Sequence, residues 1–349
     1  MYTLSLSAFR CHDDFAYTFQ PGLCVIKGKN GTGKTSVLEA LSLLSPGKGL
    51  RSADSSDVQQ QESTTPWRVQ LTIDSDCGPM VCATQMVNQR RKMTMNDDVL
   101  RAHDHMTQWL KMVWPMHTIH TGLTQRRACL NRLVFMVDTG YVHHLRVYER
   151  ALKERNRLLK NNEQDGHWFD SLDQTLATEG VQIMHKRRCA LDTLMQEMAC
   201  HETPFARPTL STVGGVETMN DVTIDGYCAA LLQCRATDRM RGQTTFGVHK
   251  SRFLMVHPNG LDVGMCSSGE RQSLLLSVAL ATLRLSHRSS PDAHHFFLAD
   301  EAMAFLDLEK QDWLWHEMMT IPASCWVTGL PQLTVPQGTD TINLPMTYV

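Results

Sequence analysis

The sequence predicts an α/β fold, in which a mixed sheet with an antiparallel amino-terminal part is interrupted by an inserted helical lobe. Apolar and polar residues alternate over residues 2–8 and again over 67–73, as they do in half-buried strands. The stretches 23–26 and 296–298 are continuously apolar, which is typical of parallel strands that are buried on both faces. Between them, about a hundred residues from Thr124 onward have a helical pattern.

The composition is that of an ordinary globular protein. With 349 residues, 42% of them hydrophobic, the chain is long enough for about two domains and a substantial core. No apolar run approaches the roughly 20 residues of a membrane-spanning helix. Residues 1–6 also lack the basic start and the long apolar centre of a signal peptide. We therefore expect a cytoplasmic protein without membrane contact.

The eleven cysteines are scattered, odd in number and without a Cys-x-x-Cys pair. This pattern favours reduced, mostly buried thiols over a disulfide framework. Two pairs of histidines lie close together, His103 with His105 and His117 with His120, but no set of carboxylate or cysteine companions completes either pair at ligand spacing. We therefore expect no structural metal site.

A glycine-rich stretch follows the first buried strand and leads into a helix with apolar periodicity, which is the context of a phosphate-binding loop. Its residues are Gly28, Lys29, Asn30, Gly31, Thr32, Gly33, Lys34, Thr35 and Ser36. The three glycines let backbone N–H groups turn inward, and the positive end of the following helix faces the same spot. We expect Lys34 to reach the β- and γ-phosphates of ATP, and Thr35 to hold Mg²⁺. The alternative is a chance glycine turn, against which the preceding strand and the following helix argue.

A pair of acids ends the second buried strand. Asp300 and Glu301 follow residues 296–299, and ligands bind at the carboxyl ends of parallel strands. We expect Asp300 to hold Mg²⁺ through water. Glu301 and Lys34 are the expected catalytic residues, with Glu301 as the general base that orients the attacking water. Two acids after a strand are also a common strand cap, so this interpretation depends on the phosphate-binding loop.

Residues 266–272 precede a long apolar helix over 274–285 and resemble the signature motif of ABC-type ATPases. The resemblance implies that the serine and the glycine-bearing helix N-terminus bind the γ-phosphate of a nucleotide held by another copy of the domain. The residues concerned are Ser267, Ser268, Gly269 and Glu270. A polar N-cap on a buried helix is the simpler alternative.

Residues 305–307 resemble the D-loop of the same class, with Asp307 as its acid. The order of phosphate loop, signature, acidic strand and D-loop predicts an ABC-type P-loop ATPase head. In this architecture the signature cannot reach its own phosphate loop, so a complete site needs two chains. We expect ATP to join two copies into a homodimer and hydrolysis to release it.

The helical segment carries an excess of positive charge. Residues 123–160 contain nine Lys or Arg against three Asp or Glu, a local charge of +6 in a chain whose net charge is −2. Solvated helix faces usually mix signs, so this bias favours contact with DNA phosphates over a merely solvated surface. The candidates for DNA contact are Arg126, Arg127, Arg150 and Arg157.

The predicted domains are a split head over residues 1–122 and 240–349 and an inserted helical arm over 123–239. The second boundary depends on strand character that returns over 244–249 and 252–256.

Four further stretches resemble the RecF family of bacterial recombination mediators. They are residues 41–51, 125–135, 148–160 and 247–251. With the ATPase motifs they run through nearly the whole chain, and the signature with Cys266 and Glu270 is similar to that of α-proteobacterial members.

The resemblance implies a two-lobed protein that uses ATP and Mg²⁺, dimerises with ATP and hydrolyses it slowly, as a timer. It also implies binding to double-stranded DNA at single-strand gaps, junctions or stalled forks. The implied partners are RecO and RecR, and through them RecA.

The chain departs from the ABC-type pattern at two coupling positions. No glutamine lies within residues 114–120 to serve as the Q-loop residue, for which His117 and Gln125 are candidates. Thr328 lies where transporter ATPases have a switch histidine, so we expect Glu301 to act without that helper, which is consistent with slow turnover.

Two other functions stay open. In the first, the chain is a hydrolysis-deficient interaction module in which bound ATP is structural. In the second, it is a short SMC-like ATPase coupled to a nuclease. The roughly forty residues after Asp307 are fewer than the ~100 that a nuclease domain requires, so we expect none in this chain.

Overall fold

The computed structural model describes residues 1–61, 63–74, 78–99, 109–163, 165–219 and 222–344. The chain forms two compact units. The first comprises Met1–His117, Thr203–Phe205 and Ser267–Val349, and the second Thr118–Glu202 and Ala206–Cys266. The head and arm boundaries given above stay a prediction; residues 240–266 lie in the second unit.

In chain order the strands are β1 (Tyr2–Phe9), β2 (His12–Phe19), β3 (Leu23–Lys27), β4 (Arg68–Ile73), β5 (Met80–Val87), β6 (Arg90–Met95), β7 (Asp98–Val99), β8 (Leu110–Val113), β9 (Thr209–Val213), β10 (Arg252–Val256), β11 (His294–Ala299), β12 (Ser324–Gly329) and β13 (Asp340–Asn343). The helices of the described residues are α1 (Lys34–Ser42), α2 (Leu123–Val137), α3 (Tyr141–Lys160), α4 (Gly166–Cys200), α5 (Ile224–Arg241), α6 (Ser268–Ser289) and α7 (Leu308–Thr320).

The first unit contains an antiparallel sheet with the strand order β2-β1-β4-β5-β6-β7. In β1 the side chains of Leu4 and Leu6 are fully buried, whereas Thr3 and Ser5 are half-buried. The alternation that predicts the strand therefore also selects the face that turns toward the core.

The second sheet of this unit is parallel throughout, with the order β13-β3-β12-β11-β8. Strands β3 and β11 are not neighbours, because β12 lies between them. The carboxyl ends of parallel strands meet at one edge of a sheet. The phosphate loop after β3 and the acids after β11 consequently share that edge, one on each side of the end of β12.

A single buried cluster includes apolar side chains from both sheets and from α1, among them Leu4, Val37, Trp67, Phe296 and Trp326. Helix α1 has only nine residues, and isolated helices of that length are marginal in water. Since each large buried side chain contributes about 1.5–3 kcal/mol, packing in this cluster holds the helix that follows the phosphate loop.

The second unit contains α2 to α5 and a two-stranded antiparallel sheet of β9 and β10. The predicted strand over 252–256 is present as β10, but its partner β9 lies in the segment predicted to be helical. The predicted strand over 244–249 is wrong.

That segment instead ends in a 3₁₀ turn, Val248–Lys250. Gly247 has φ +138°, and a Cβ at this position would lie 2.4 Å from the Tyr148 hydroxyl oxygen. The Val248 N–H donates to the Tyr227 hydroxyl at 3.1 Å. The Val248 N–H therefore bonds to a helix side chain, whereas in a strand it would bond to the backbone of a neighbouring strand.

Ten described cysteines carry free thiols, and five of them are buried. Cys77, His103 and His105 lie outside the described residues. Among the described residues, no group of three His, Cys, Asp or Glu side chains is arranged to hold a metal ion. Within the same part of the chain, no helix has the length and apolar character needed to cross a membrane.

The interior of the second unit contains a fully buried ion network centred on Arg155. Its Nε donates to Asp173 Oδ1 at 2.7 Å, and its Nη1 donates to Asp238 Oδ2 at 2.7 Å and to Thr244 Oγ1 at 2.9 Å. This arginine joins α3, α4 and α5. Two buried carboxylates depend on its charge.

We expect Arg155→Met to lower the free energy of unfolding by about 3–5 kcal/mol, because the substitution leaves the buried carboxylate of Asp238 without its cation and Asp173 with Arg235 alone. Arg157→Met, two residues along the same helix, removes only an exposed pair with Glu154 and should change stability by about 0.5 kcal/mol or less. Urea denaturation followed by circular dichroism measures both. Equal effects of the two substitutions would contradict the structural role of Arg155.

Candidate functional site

The loop from Gly28 to Ser36 turns through two left-handed glycines, Gly31 at φ +84° and Gly33 at φ +87°. Gly33 is the N-cap of α1. A Cβ on Gly28 would lie 2.5 Å from Thr32 Oγ1, so the first glycine is required by a close approach within the loop. Glycine is thus required at Gly31 and Gly33 by a positive φ and at Gly28 by a close contact.

The Lys34 side chain is buried and curls back over the loop. Its Nζ donates to the carbonyl oxygens of Gly28 at 2.8 Å and Lys29 at 2.9 Å. Thr32 Oγ1 also donates to the Lys29 carbonyl, at 3.0 Å. The ammonium group therefore lies inside the turn of the loop, where phosphate oxygens bind in loops of this kind.

The acids predicted at the end of β11 meet the loop. Thr35 Oγ1 donates to Asp300 Oδ1 at 3.0 Å, although 265 residues separate the two in sequence. The same Oδ1 accepts a hydrogen bond from Thr328 Oγ1 at 2.7 Å, and Thr328 Oγ1 accepts the N–H of Glu301 at 2.8 Å. The hydroxyl and the carboxylate predicted to hold Mg²⁺ are thus adjacent.

A cavity of about 300 Å³ opens beside these groups. Its lining includes six residues of the loop together with Glu301 and two residues that the sequence reasoning missed, Cys11 and Arg51. The six are Asn30, Gly31, Gly33, Lys34, Thr35 and Ser36. This volume is at the lower end of small-molecule sites, and the Lys34 and Arg51 cations and the N-terminus of α1 favour an anion.

At the turn between β1 and β2, the Cys11 thiol joins the lining of this cavity and the His12 imidazole contacts the phosphate loop. His12 Nε2 donates to the Gly33 carbonyl at 3.2 Å. A hydrogen bond from His12 lowers the pKa of the Cys11 thiol below its ordinary value. Burial alone would lower the pKa of His12, but the hydrogen bond and the charge of Cys11 raise it. Neither residue belongs to a motif, so only strand pairing brings them to the loop.

Arg51 lies in the stretch 41–51 that resembles the RecF family, and that resemblance was the only sequence evidence that could have singled it out. Its Nη1 is 3.8 Å from the buried carboxylate of Glu39, which Arg10 also contacts at 2.7 Å. Glu39 therefore holds two arginines near the cavity, of which Arg51 is half exposed and faces its mouth.

The predicted signature residues form a capping box at the start of α6. The Ser267 hydroxyl accepts the Glu270 N–H at 3.3 Å, and the Glu270 carboxylate accepts the Ser267 N–H at 2.9 Å. Ser268 and Gly269 occupy the first turn of the helix, and a Cβ on Gly269 would lie 3.4 Å from the Phe305 carbonyl oxygen. Ser267 is thus the N-cap of a buried helix, as the simpler of the two interpretations predicts.

Asp307 is the N-cap of α7 and accepts the Lys310 N–H at 2.9 Å. Its hydrogen bond with the Lys310 side chain lowers the pKa of the carboxyl below its ordinary value. Asp307 and the signature residues are absent from the described lining of the cavity, as are His117 and Gln125.

The four arginines proposed for DNA contact have different environments. Arg126 forms a two-pronged ion pair with Asp262, one contact at 2.7 Å, and this pairing raises its pKa. Arg127 is half-buried, whereas Arg150 and Arg157 are exposed. Arg150 and Arg157 are therefore the two of these four that α3 exposes to solvent, and Arg157 also forms an exposed ion pair with Glu154.

We expect Gly33→Ala to harm the site more than Gly31→Ala, although both glycines have nearly the same φ. Each alanine incurs about 1–2 kcal/mol of backbone strain. A Cβ at Gly31 meets nothing within 4 Å, whereas one at Gly33 lies 2.6 Å from Cys11 Sγ and His12 Nε2. His12 must then move and lose its bond to the Gly33 carbonyl, about 1 kcal/mol more.

Urea denaturation and binding of a fluorescent ATP analogue measure the two effects. The arrangement described here requires a larger loss of stability and of binding for Gly33→Ala. Equal losses would show that the β1–β2 turn does not press on the loop.

Comparisons with known proteins agree with this geometry. The family model described as an AAA domain matches residues 3–97. A Mesorhizobium japonicum protein named DNA replication and repair protein RecF is 31% identical over 342 residues, which cover 93% of this chain and 90% of that protein. A Rickettsia bellii protein of the same name is 31% identical over 315 residues, 87% of each chain.

A solved structure of the recombination mediator protein RecF with ATP, described as part of the RecFOR pathway, superposes with a TM-score of 0.81. It is 20% identical and the match covers 95% of this chain and 94% of that one. A second RecF structure gives a TM-score of 0.79 at 20% identity. These matches confirm the predicted fold class, an ABC-type ATPase head with an inserted lobe, and the extent and identity of the sequence matches establish that the chain belongs to the RecF family.

Proposed function

We propose that this protein is an ATP-switched, DNA-binding mediator of recombinational repair in the cytoplasm. The observation that carries the proposal is the convergence of Lys34, Thr35, Asp300 and Glu301 at one edge of the parallel sheet, beside an anion-favouring cavity. A lysine on the phosphates, a hydroxyl and an aspartate for Mg²⁺ and a residue that positions the attacking water are recurring parts of ATPases with such a loop.

The roles follow from the chemistry of each group. Lys34 and the loop N–H groups hold the phosphates of ATP, and the oxygens of Thr35 and Asp300 are the ligands that Mg²⁺ prefers. When bound, Mg²⁺ neutralises charge on the phosphates. Glu301 lines the cavity and accepts the proton of the attacking water. Turnover is slow, since Thr328 contributes no ionisable group.

A second copy completes the site. The signature residues and Asp307 do not line the cavity of their own chain in the part that the structure describes, while the N-terminus of α6 is built to meet an anion. Two chains placed head to tail each supply this helix end to the other's nucleotide. ATP therefore stabilises the homodimer, and hydrolysis releases it.

We expect Lys34→Ala to abolish ATP-dependent dimerisation and Glu301→Gln to prolong it. The first variant lacks the cation that meets the phosphates, and the second lacks the base that starts hydrolysis. Gel filtration with light scattering, with and without ATP and Mg²⁺, measures both. Lys48→Ala, at an exposed lysine paired with Asp54 outside the loop, is the control and should behave as wild type. A Glu301→Gln protein that stays monomeric with ATP would refute the two-chain site.

Double-stranded DNA and single-strand/double-strand junctions are the proposed nucleic-acid partners, and RecO and RecR the proposed protein partners in loading RecA. Support comes from the curated relatives, which are named for DNA replication and repair, and from a neighbour described within the RecFOR pathway. The exposed arginines of α3 are the proposed phosphate contacts.

We expect the double substitution Arg150→Gln and Arg157→Gln to weaken duplex binding and to flatten its salt dependence. Each lost phosphate contact lowers the slope of log K against log salt by about 1. Arg126→Gln is the control. It removes the ion-pair partner of Asp262, so it should lower the free energy of unfolding while the salt dependence of DNA binding changes little. Fluorescence anisotropy over a salt titration measures the slopes. An unchanged slope for the double variant would show that Arg150 and Arg157 do not contact DNA phosphates.

A further inference from the structure

Thr328 ends strand β12, between the strand that leads into the phosphate loop and the strand that leads into the acids. Its side chain is fully buried. A threonine hydroxyl has one proton to donate and lone pairs to accept with. Here the proton goes to Asp300 Oδ1 at 2.7 Å and a lone pair receives the Glu301 N–H at 2.8 Å.

The bond to the Glu301 N–H acts on an unusual backbone. Glu301 has φ +47°, in the left-handed region that residues other than glycine rarely adopt. Such conformations persist where the surroundings hold them, and they cluster at functional sites. The Thr328 hydroxyl bonds to the N–H of Glu301 and so stabilises this backbone conformation. The conformation in turn sets the direction in which the Glu301 side chain leaves the backbone toward the cavity.

The bond to Asp300 acts on the other acid. Asp300 Oδ1 also accepts the Thr35 hydroxyl at 3.0 Å, so one carboxylate oxygen receives a donor from each neighbouring strand end. A single buried hydroxyl thereby joins the acid proposed to hold Mg²⁺ to the backbone of the proposed base. Loss of that hydroxyl would leave the Glu301 N–H without this acceptor and Asp300 Oδ1 with Thr35 as its donor.

We propose that Thr328 is a positioning residue for ATP hydrolysis, which ties Asp300 to the peptide of Glu301 and thereby fixes the base relative to the metal-binding acid. The inference rests on the proposed function. It predicts a change in the rate of the chemical step without a matching change in nucleotide binding, because Thr328 is not part of the cavity lining.

The test compares Thr328→Val, which keeps the shape and removes the hydroxyl, with Thr328→Ser, which keeps the hydroxyl. Thr282→Val is the matched control, since Thr282 is equally buried in the same unit and its hydroxyl bonds only to the Val278 carbonyl of its own helix. Steady-state ATP hydrolysis gives kcat and KM, binding of a fluorescent ATP analogue gives the affinity, and thermal melting reports folding.

We expect Thr328→Val to lower kcat about 10- to 100-fold, the size of effect that misplacement of a reacting group produces, with KM and affinity within about threefold of wild type. Thr328→Ser should restore kcat to within about threefold, and Thr282→Val should leave it unchanged. If the valine variant does not fold, Thr328→Ala, which also lacks the hydroxyl and has no bulk to accommodate, is measured in its place.

A hydroxyl-free variant that folds and keeps its kcat overturns the inference. So does a loss of kcat that Thr282→Val shares, or one that Thr328→Ser does not rescue. A different result would refute the proposed function, namely equal rates of ATP hydrolysis by wild type and Glu301→Gln. That result would refute the inference as well. Hydrolysis that needs Glu301 and is indifferent to the Thr328 hydroxyl refutes the inference alone.

Discussion

One carboxylate oxygen joins the structural elements of the candidate site. Asp300 Oδ1 accepts hydroxyl protons from Thr35 at 3.0 Å and from Thr328 at 2.7 Å, and so joins α1, β12 and the end of β11. This junction is needed because of the strand order: β12 separates the phosphate loop from the acids, and neither can reach the other through direct strand pairing. The buried cluster beneath α1 fixes the loop, and the hydrogen bonds to Asp300 fix the acids against it.

The sequence predicts the parts of this site that depend on local chemistry. Gly33 and Lys34 are recognisable because the loop is continuous in sequence, and the spacing of Ser267 and Glu270 is that of a capping box. Cys11 belongs to no such motif, and for Thr328 the sequence indicates only the position of a switch histidine, not its bonds to Asp300 and Glu301. Their place in the site comes from strand order and from the β1–β2 pairing, and neither is encoded within a short window. The error at residues 244–249 has the same origin, since tyrosine hydroxyls of distant helices hold that backbone.

The charge of the second unit shows how a local count misleads. Residues 123–160 carry an excess of six positive charges, but the carboxylates that neutralise two of them come from outside that window. Arg155 is buried against Asp173 and Asp238, and Arg126 is paired with Asp262. Helix packing thus converts part of an apparent basic stripe into internal ion pairs. The exposed positive charge that remains on α3 is a smaller patch that includes Arg150 and Arg157. A patch of this kind suits the proposed binding of DNA phosphates, which depends on salt concentration and is readily reversed.

In the proposed two-chain site, the capping box at α6 would limit how tightly two copies associate. In the single chain, the Ser267 N–H and the Ser267 hydroxyl both donate to the Glu270 carboxylate, at 2.9 Å and 2.8 Å. A phosphate that docks at this helix end, as the two-chain site requires, competes with the Glu270 carboxylate for the same donors and meets its negative charge. Opening such a cap costs about 0.5–2 kcal/mol in each copy, which subtracts from the free energy of closing the dimer. In that proposed site the phosphate contacts must offset this cost, and loss of the γ-phosphates would let each helix end return to its own cap. The residues that stabilise α6 in the single chain would therefore also make the proposed dimer reversible, which is the property that the proposed hydrolysis-driven switch requires.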